Sequence, residues 1–132
     1  MDNIFSYPVQ ILLFVFLAIT FLQSGIDKIM DWKGNLSWLT GHFSKTFLKN
    51  SVPLLLGIIL LLELVSGVLS VVGVVQFITS GESVPGFYGS ILSAITLLML
   101  LFGQRVAKDY EGAKTIVIYF VPTMFLVYLL HQ

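Results

Sequence analysis

The chain contains no cysteine. That excludes disulfides, CxxC redox chemistry, thiolate zinc sites and cysteine-held iron–sulfur clusters within it. Charge is scarce as well. Lys, Arg, Asp and Glu make up 11% of 132 residues, against about 25% in an average soluble domain. The formal net charge is zero, so there is no basic footprint for nucleic acid. The two histidines cannot share a metal or a haem: His42 falls in a predicted loop and His131 at the opposite end of a predicted bundle. No Walker A, G-x-S-x-G, H-E-x-x-H or Rossmann glycine pattern occurs. No metal site and no firmly implied cofactor follow from the residues.

What the chain has in quantity is apolar sequence, at 57% hydrophobic residues. A chain this short cannot enclose so much apolar surface in a water-soluble fold. A membrane span takes about 20 mostly apolar residues. No charge occurs between Asn3 and Ile26, between Ser83 and Gln104, or between Thr115 and Leu130, and Glu63 is the one charge between Ser51 and Gly81. The pattern predicts helices near 6–27, 53–78, 86–104 and 113–130. The expected fold is all-α, a single-domain transmembrane four-helix bundle in contact with the lipid bilayer. Only Asp2 precedes the first segment and no A-x-A site follows it, so it is expected to be a retained helix rather than a signal peptide.

All seven Lys and Arg residues lie at Lys28–Lys49 or Arg105–Lys114. The positive-inside rule therefore places both termini on the extracytoplasmic side. In the first of these loops Trp32, Leu36, Leu39, Phe43 and Phe47 recur at steps of three and four. This stripe predicts a cytoplasmic interfacial amphipathic helix near Leu36–Leu48. The mixed-sign run from Arg105 to Lys114 reads as a solvated turn. The aromatic residues Tyr7, Trp32, Trp38, Phe87, Tyr88, Tyr110 and Tyr128 fall near predicted interfaces, as in an aromatic belt.

Glu63 is the first candidate for function. It lies about 15 Å along its helix from Pro53, near the midplane. A carboxylate there costs several kcal/mol unless it is paired, solvated or protonated. Glu63, Ser66, Gly67, Ser70 and Gly73 share one face, and Gly86, Gly89 or Ser90, Ser93 and Thr96 share another. Small residues on such faces let helices approach closely. Antiparallel packing is expected to bring Thr20, Gln23, Ser93, Thr96 and Thr123 near Glu63, as a proton-responsive or ligand site or as interhelical hydrogen bonding alone. Lys28 reads first as an interfacial anchor, with an ion pair toward Glu63 as the alternative.

Two blocks add a resemblance. Phe21-Leu-Gln-Ser-Gly-Ile-Asp-Lys28-Ile-Met-Asp31 resembles the F-x-x-x-G-x-x-K-x-x-D signature of DoxX-like membrane proteins. Pro53-Leu-Leu-Leu-Gly57 through Leu62-Glu63-Leu-Val-Ser-Gly67 resembles their P-x-x-x-G…E-x-x-x-G pattern. The resemblance covers about the first 75 residues, and the remainder matches by hydropathy and length. It implies a small bacterial inner-membrane protein with Gly25, Lys28, Asp31, Pro53, Gly57, Glu63 and Gly67 as its family-type residues. It further implies an accessory or assembly subunit of a quinone-linked membrane oxidoreductase, with a quinone pocket and other membrane subunits as partners. From the residues themselves two alternatives stand beside it: a small solute or proton-coupled transporter using Glu63, and a purely structural oligomer. Catalysis by this chain alone has the least support.

Overall fold

The computed structural model describes residues 2–131. Among these residues there are six helices: α1 (Asp2–Ser6), α2 (Pro8–Met30), α3 (Trp32–His42), α4 (Val52–Ser80), α5 (Val84–Val106) and α6 (Tyr110–His131). Among the described residues there is no strand. The helices α2, α4, α5 and α6 are each long and apolar enough to cross a membrane. Their bounds lie within three residues of those predicted. The chain is a multi-pass, all-helical membrane protein.

Successive long helices run antiparallel. Tyr7 and Phe14 meet Phe77 at one end, and Lys28 meets Glu63 toward the other. The helix α4 lies between α2 and α5, α5 packs on α6, and α6 returns to α2. The apolar core follows from this order. Phe14, Leu17, Phe21, Leu97 and Leu126 are fully buried. The two small-residue faces point inward: Glu63, Ser66, Gly67, Ser70 and Gly73 are buried on α4, and Gly86, Gly89, Ser90, Ser93 and Thr96 on α5. Leu12, Leu61, Val68, Leu98, Val121 and Phe125 are exposed on the outside. That inversion, small and polar within and large and apolar without, is the arrangement a lipid solvent selects.

Helix ends follow local chemistry. Pro8, Pro53 and Pro85 stand in first turns, where a missing N–H costs nothing. Ser83 caps α5 by accepting from Gly86 N–H at 2.9 Å. Gly81 closes α4 at φ 76°, a left-handed conformation suited to glycine. Pro122 lies inside α6, which continues through it.

The loop helix differs from its expected place. It spans Trp32–His42, and residues 43–51 form turns rather than continuing the helix to Leu48. The hydroxyls of Ser44 and Thr46 explain the early stop. They donate to the carbonyls of Gly41 at 2.8 Å and Phe43 at 2.9 Å, offering the backbone a turn in place of the next helical bond. Asp31 starts the helix by accepting from Gly34 N–H at 3.2 Å. Trp32, Leu36, Leu39 and Phe43 of the stripe are half-buried, while Phe47 is exposed.

Candidate functional site

Two charges meet inside the bundle. Glu63 is 2% exposed, and its Oε1 lies 2.9 Å from the Lys28 ammonium. Lys28 also donates to Ser24 Oγ, one turn back on α2, at 2.7 Å. Lys28 is therefore not the headgroup anchor first expected; its alternative, an ion pair toward Glu63, is what forms. The reason lies in the relative heights of α2 and α4. A methyl at Gly57 would meet Trp32 at 4.0 Å, so α3 begins at the level of the second turn of α4. The end of α2 thus lies alongside the first turns of α4, which brings the ammonium to Glu63. A buried carboxylate and a half-buried ammonium each carry a desolvation cost, which their mutual attraction offsets. The contact is one of charge more than alignment: Oε1 receives no well-directed hydrogen bond, and neither does the buried Ser66 Oγ.

The seam that holds this pair is tight. A Cβ at Gly25 would fall 2.7 Å from Leu64 Cδ2, and one at Gly67 would fall 2.6 Å from the Leu22 side chain. Pro53 opens α4 and Asp31 opens α3. Gly25, Lys28, Asp31, Pro53, Gly57, Glu63 and Gly67, which carry the resemblance, therefore lie along α2, the start of α3 and the first half of α4.

The other polar candidates make no hydrogen bond to Glu63 among the described residues. Ser93, Thr96 and Thr123 are buried, yet each hydroxyl donates to a carbonyl of its own helix: Gly89 at 2.7 Å, Leu92 at 2.8 Å and Tyr119 at 2.8 Å. That carbonyl is always within reach, whereas a partner on another helix must be placed by packing. Thr20 is half-buried, and Gln23 is exposed on the outer side of α2. The polar contacts that form at Glu63 are those of Lys28, which Ser24 also holds.

Beside the ion pair lies a feature that hydropathy does not reveal. A cavity of about 570 Å³ opens between α3, the first turns of α4 and the last half of α5. Lys28 lines it, with Asn35, Trp38, Phe43, Phe102 and Gln104. A hydrogen-bonded latch stands at its edge. His42 Nε2 is 3.0 Å from Gln104 Oε1 and 3.6 Å from Asp109 Oδ2, and its ring stacks on Trp38 at 4.5 Å. This ties the end of α3 to the α5–α6 junction. His131 lies beside Phe87 at the other end of the bundle, so the two histidines are as far apart as expected. Among the described residues no group of three or more His, Asp or Glu side chains could hold a metal. In comparisons with known proteins no family model matches the chain, and neither a curated protein nor a solved structure matches it.

Proposed function

We propose that the chain is a DoxX-type accessory or assembly subunit of a quinone-linked oxidoreductase in the bacterial inner membrane. The observation that carries the reading is the convergence of the motif residues on one seam. Gly25 and Gly67 let α2 and α4 close together, Lys28 neutralises Glu63, Asp31 caps α3, and Trp32 rests over Gly57. The motif thus behaves as one unit rather than as scattered matches in an apolar background. An accessory role fits the interior. Its buried carboxylate is paired with the half-buried Lys28, and most buried hydroxyls bond to their own helices. Redox chemistry would then come from a partner. The commitment of Glu63 to Lys28 counts against a transporter that uses this carboxyl as a free proton carrier.

Extraction from native membranes in mild detergent, followed by mass spectrometry, tests the reading. A stoichiometric partner bearing a redox cofactor is expected. A chain that purifies alone, and that carries solute across liposomes, overturns it. Glu63→Gln keeps nearly the same volume and is expected to leave the complex assembled. Retained turnover makes the carboxyl structural, and lost turnover with normal assembly makes it functional.

The orientation follows from the positive loops, with both termini extracytoplasmic. Because cysteine is absent, single-cysteine variants label without background. In intact cells an impermeant maleimide is expected to modify Glu82→Cys, between α4 and α5, and to reach Lys45→Cys only after the membrane is opened. The opposite pattern reverses the orientation.

A further inference from the structure

The cavity under α3 is an open groove rather than a closed chamber. Trp38, Ile95, Leu98, Met99 and Phe102 line it and stay between 37% and 61% exposed. Among the described residues the backbones of α3 and α5 do not meet, and the His42–Gln104 bond bridges them by side chains. The volume of about 570 Å³ falls within the range of roughly 300–1,000 Å³ of small-molecule pockets. The charged and amide side chains on the walls already have partners. Lys28 is held by Glu63 and Ser24, Asn35 donates to the Asp31 carbonyl at 2.8 Å, and Gln104 meets His42 at 3.0 Å. The remaining lining side chains are apolar. A polar ligand buried there would find few groups free to replace its hydrogen bonds to water. Between membrane spans such a groove is filled by hydrocarbon, because water on its walls is unfavourable.

The rim has the opposite character. Phe43 and Leu48 line the groove, and Phe47 meets Phe102 with ring centroids 6.5 Å apart. The turns at 43–51 therefore lie beside the end of α5. Lys45 and Lys49 stand in those turns, Arg105 directly follows Gln104, and all three are exposed. Among the described residues none of the three is in an ion pair, and Arg105 lies over the Tyr110 ring at 5.1 Å. The acids at this end are held elsewhere or stand off the groove. Asp31 caps α3, Asp109 accepts from Gly112 N–H at 3.0 Å and faces His42, and neither Asp27 nor Glu111 lines the walls. Three cations beside a hydrocarbon slot match a molecule with an apolar chain and an anionic head. Basic pockets at the ends of membrane spans recruit anionic lipid heads in this way. We propose that the groove seats an acyl chain of an anionic glycerophospholipid, with its phosphate at the rim that carries Lys45, Lys49 and Arg105. The site goes beyond the subunit role proposed above and does not depend on it.

The test uses the full chain in phosphatidylcholine nanodiscs and lipids with brominated acyl chains, which quench indole fluorescence on contact. The tryptophans are Trp32 and Trp38, and the signal that Trp38→Phe removes reports the groove. Brominated phosphatidylglycerol or brominated phosphatidylcholine replaces a rising share of the lipid. Phosphatidylglycerol is expected to bind about fivefold better, the worth of one basic side chain at a membrane surface. Lys45→Gln, Lys49→Gln and Arg105→Gln together alter only exposed side chains and are expected to abolish that preference. Leu55→Phe keeps every charge but narrows the groove from the α4 wall, and it is expected to reduce quenching by both lipids to that of random mixing. Should it misfold, Met99→Phe narrows the groove from the α5 wall and must do the same. Equal quenching by the two lipids overturns the anionic head. A preference that survives the three Gln changes overturns the rim. One that survives in a folded, narrowed variant overturns the acyl-chain seat and leaves only headgroups gathered at a basic surface. Quenching no greater than random mixing in the parent overturns the lipid site altogether.

Discussion

Lys28→Met is expected to destabilise the bundle by about 3–5 kcal/mol, the usual cost of leaving a buried charge without its partner. Glu63 is 2% exposed and has no route to water of its own. Glu63→Met is expected to cost less. The Lys28 side chain retains 17% exposure, and its long stem can redirect the ammonium toward the cavity or the interface. The double variant is expected to recover most of the loss, because an apolar pair of similar volume replaces an ion pair at little net cost. Thermal unfolding of all four proteins in one detergent measures the cycle. A double variant as unstable as the sum of the two singles would show that the charges do not act on each other, and the structural account of the seam would fail.

The second large effect belongs to Gly89. A Cβ there would fall 2.7 Å from Leu69 Cβ and 3.3 Å from the Leu69 carbonyl carbon. Neither atom is the loose end of a side chain, so α4 and α5 must separate to admit a methyl. Gly89→Ala is expected to cost about 1–3 kcal/mol by overpacking, and Gly89→Leu more. Gly25→Ala meets the movable tip of Leu64 instead and is expected to cost less. Gly41, in α3, has nothing within 4 Å of an added Cβ. Gly41→Ala should therefore change sign and stabilise by about 0.5–1 kcal/mol through helix propensity. The ranking Gly89, then Gly25, then Gly41 is the measurement. Gly89→Ala melting at or above the parent would remove the close approach of α4 and α5.

The four long helices and their inward faces were legible in the sequence, because in lipid the rule linking residue type to position is simple. Twenty apolar residues make a span, and small or polar residues turn away from the hydrocarbon. Glu63 announced itself for that reason. Its partner was less visible. Lys28 stands at the end of a span, where a lysine ordinarily anchors to headgroups. Only the stagger of α2 against α4, a tertiary fact, turns it inward. Ser93, Thr96 and Thr123 were correctly placed inside, but depth and facing do not say which acceptor a hydroxyl takes, and each donates to its own helix. Gln23 failed on facing itself. The end of α3 was misjudged because the apolar stripe runs on to Phe47, while Ser44 and Thr46 quietly divert the backbone. The cavity had no sequence signature, being a space between three elements rather than a property of any one.

The Lys28–Glu63 pair has a consequence for biogenesis. The two residues lie on different spans, and α2 leaves the ribosome before α4. Lys28 is therefore made before its partner, and Glu63 enters on a later span before the two helices have docked. A charged residue at the centre of an inserting helix costs about 2.5–3.5 kcal/mol on the translocon scale, while each Leu, Ile, Phe or Val returns about 0.3–0.6. Lys28 escapes most of this by standing near a helix end, where its stem can hold the ammonium at the interface until α4 arrives. Glu63 cannot, and α4 is the longest and most apolar of the four candidate spans. Its run of leucine, isoleucine and valine lets a lone carboxyl cross into the membrane unassisted. Lateral docking of α2 against α4 then supplies the counter-charge, so the ion pair closes as a late assembly step and not as a condition of insertion.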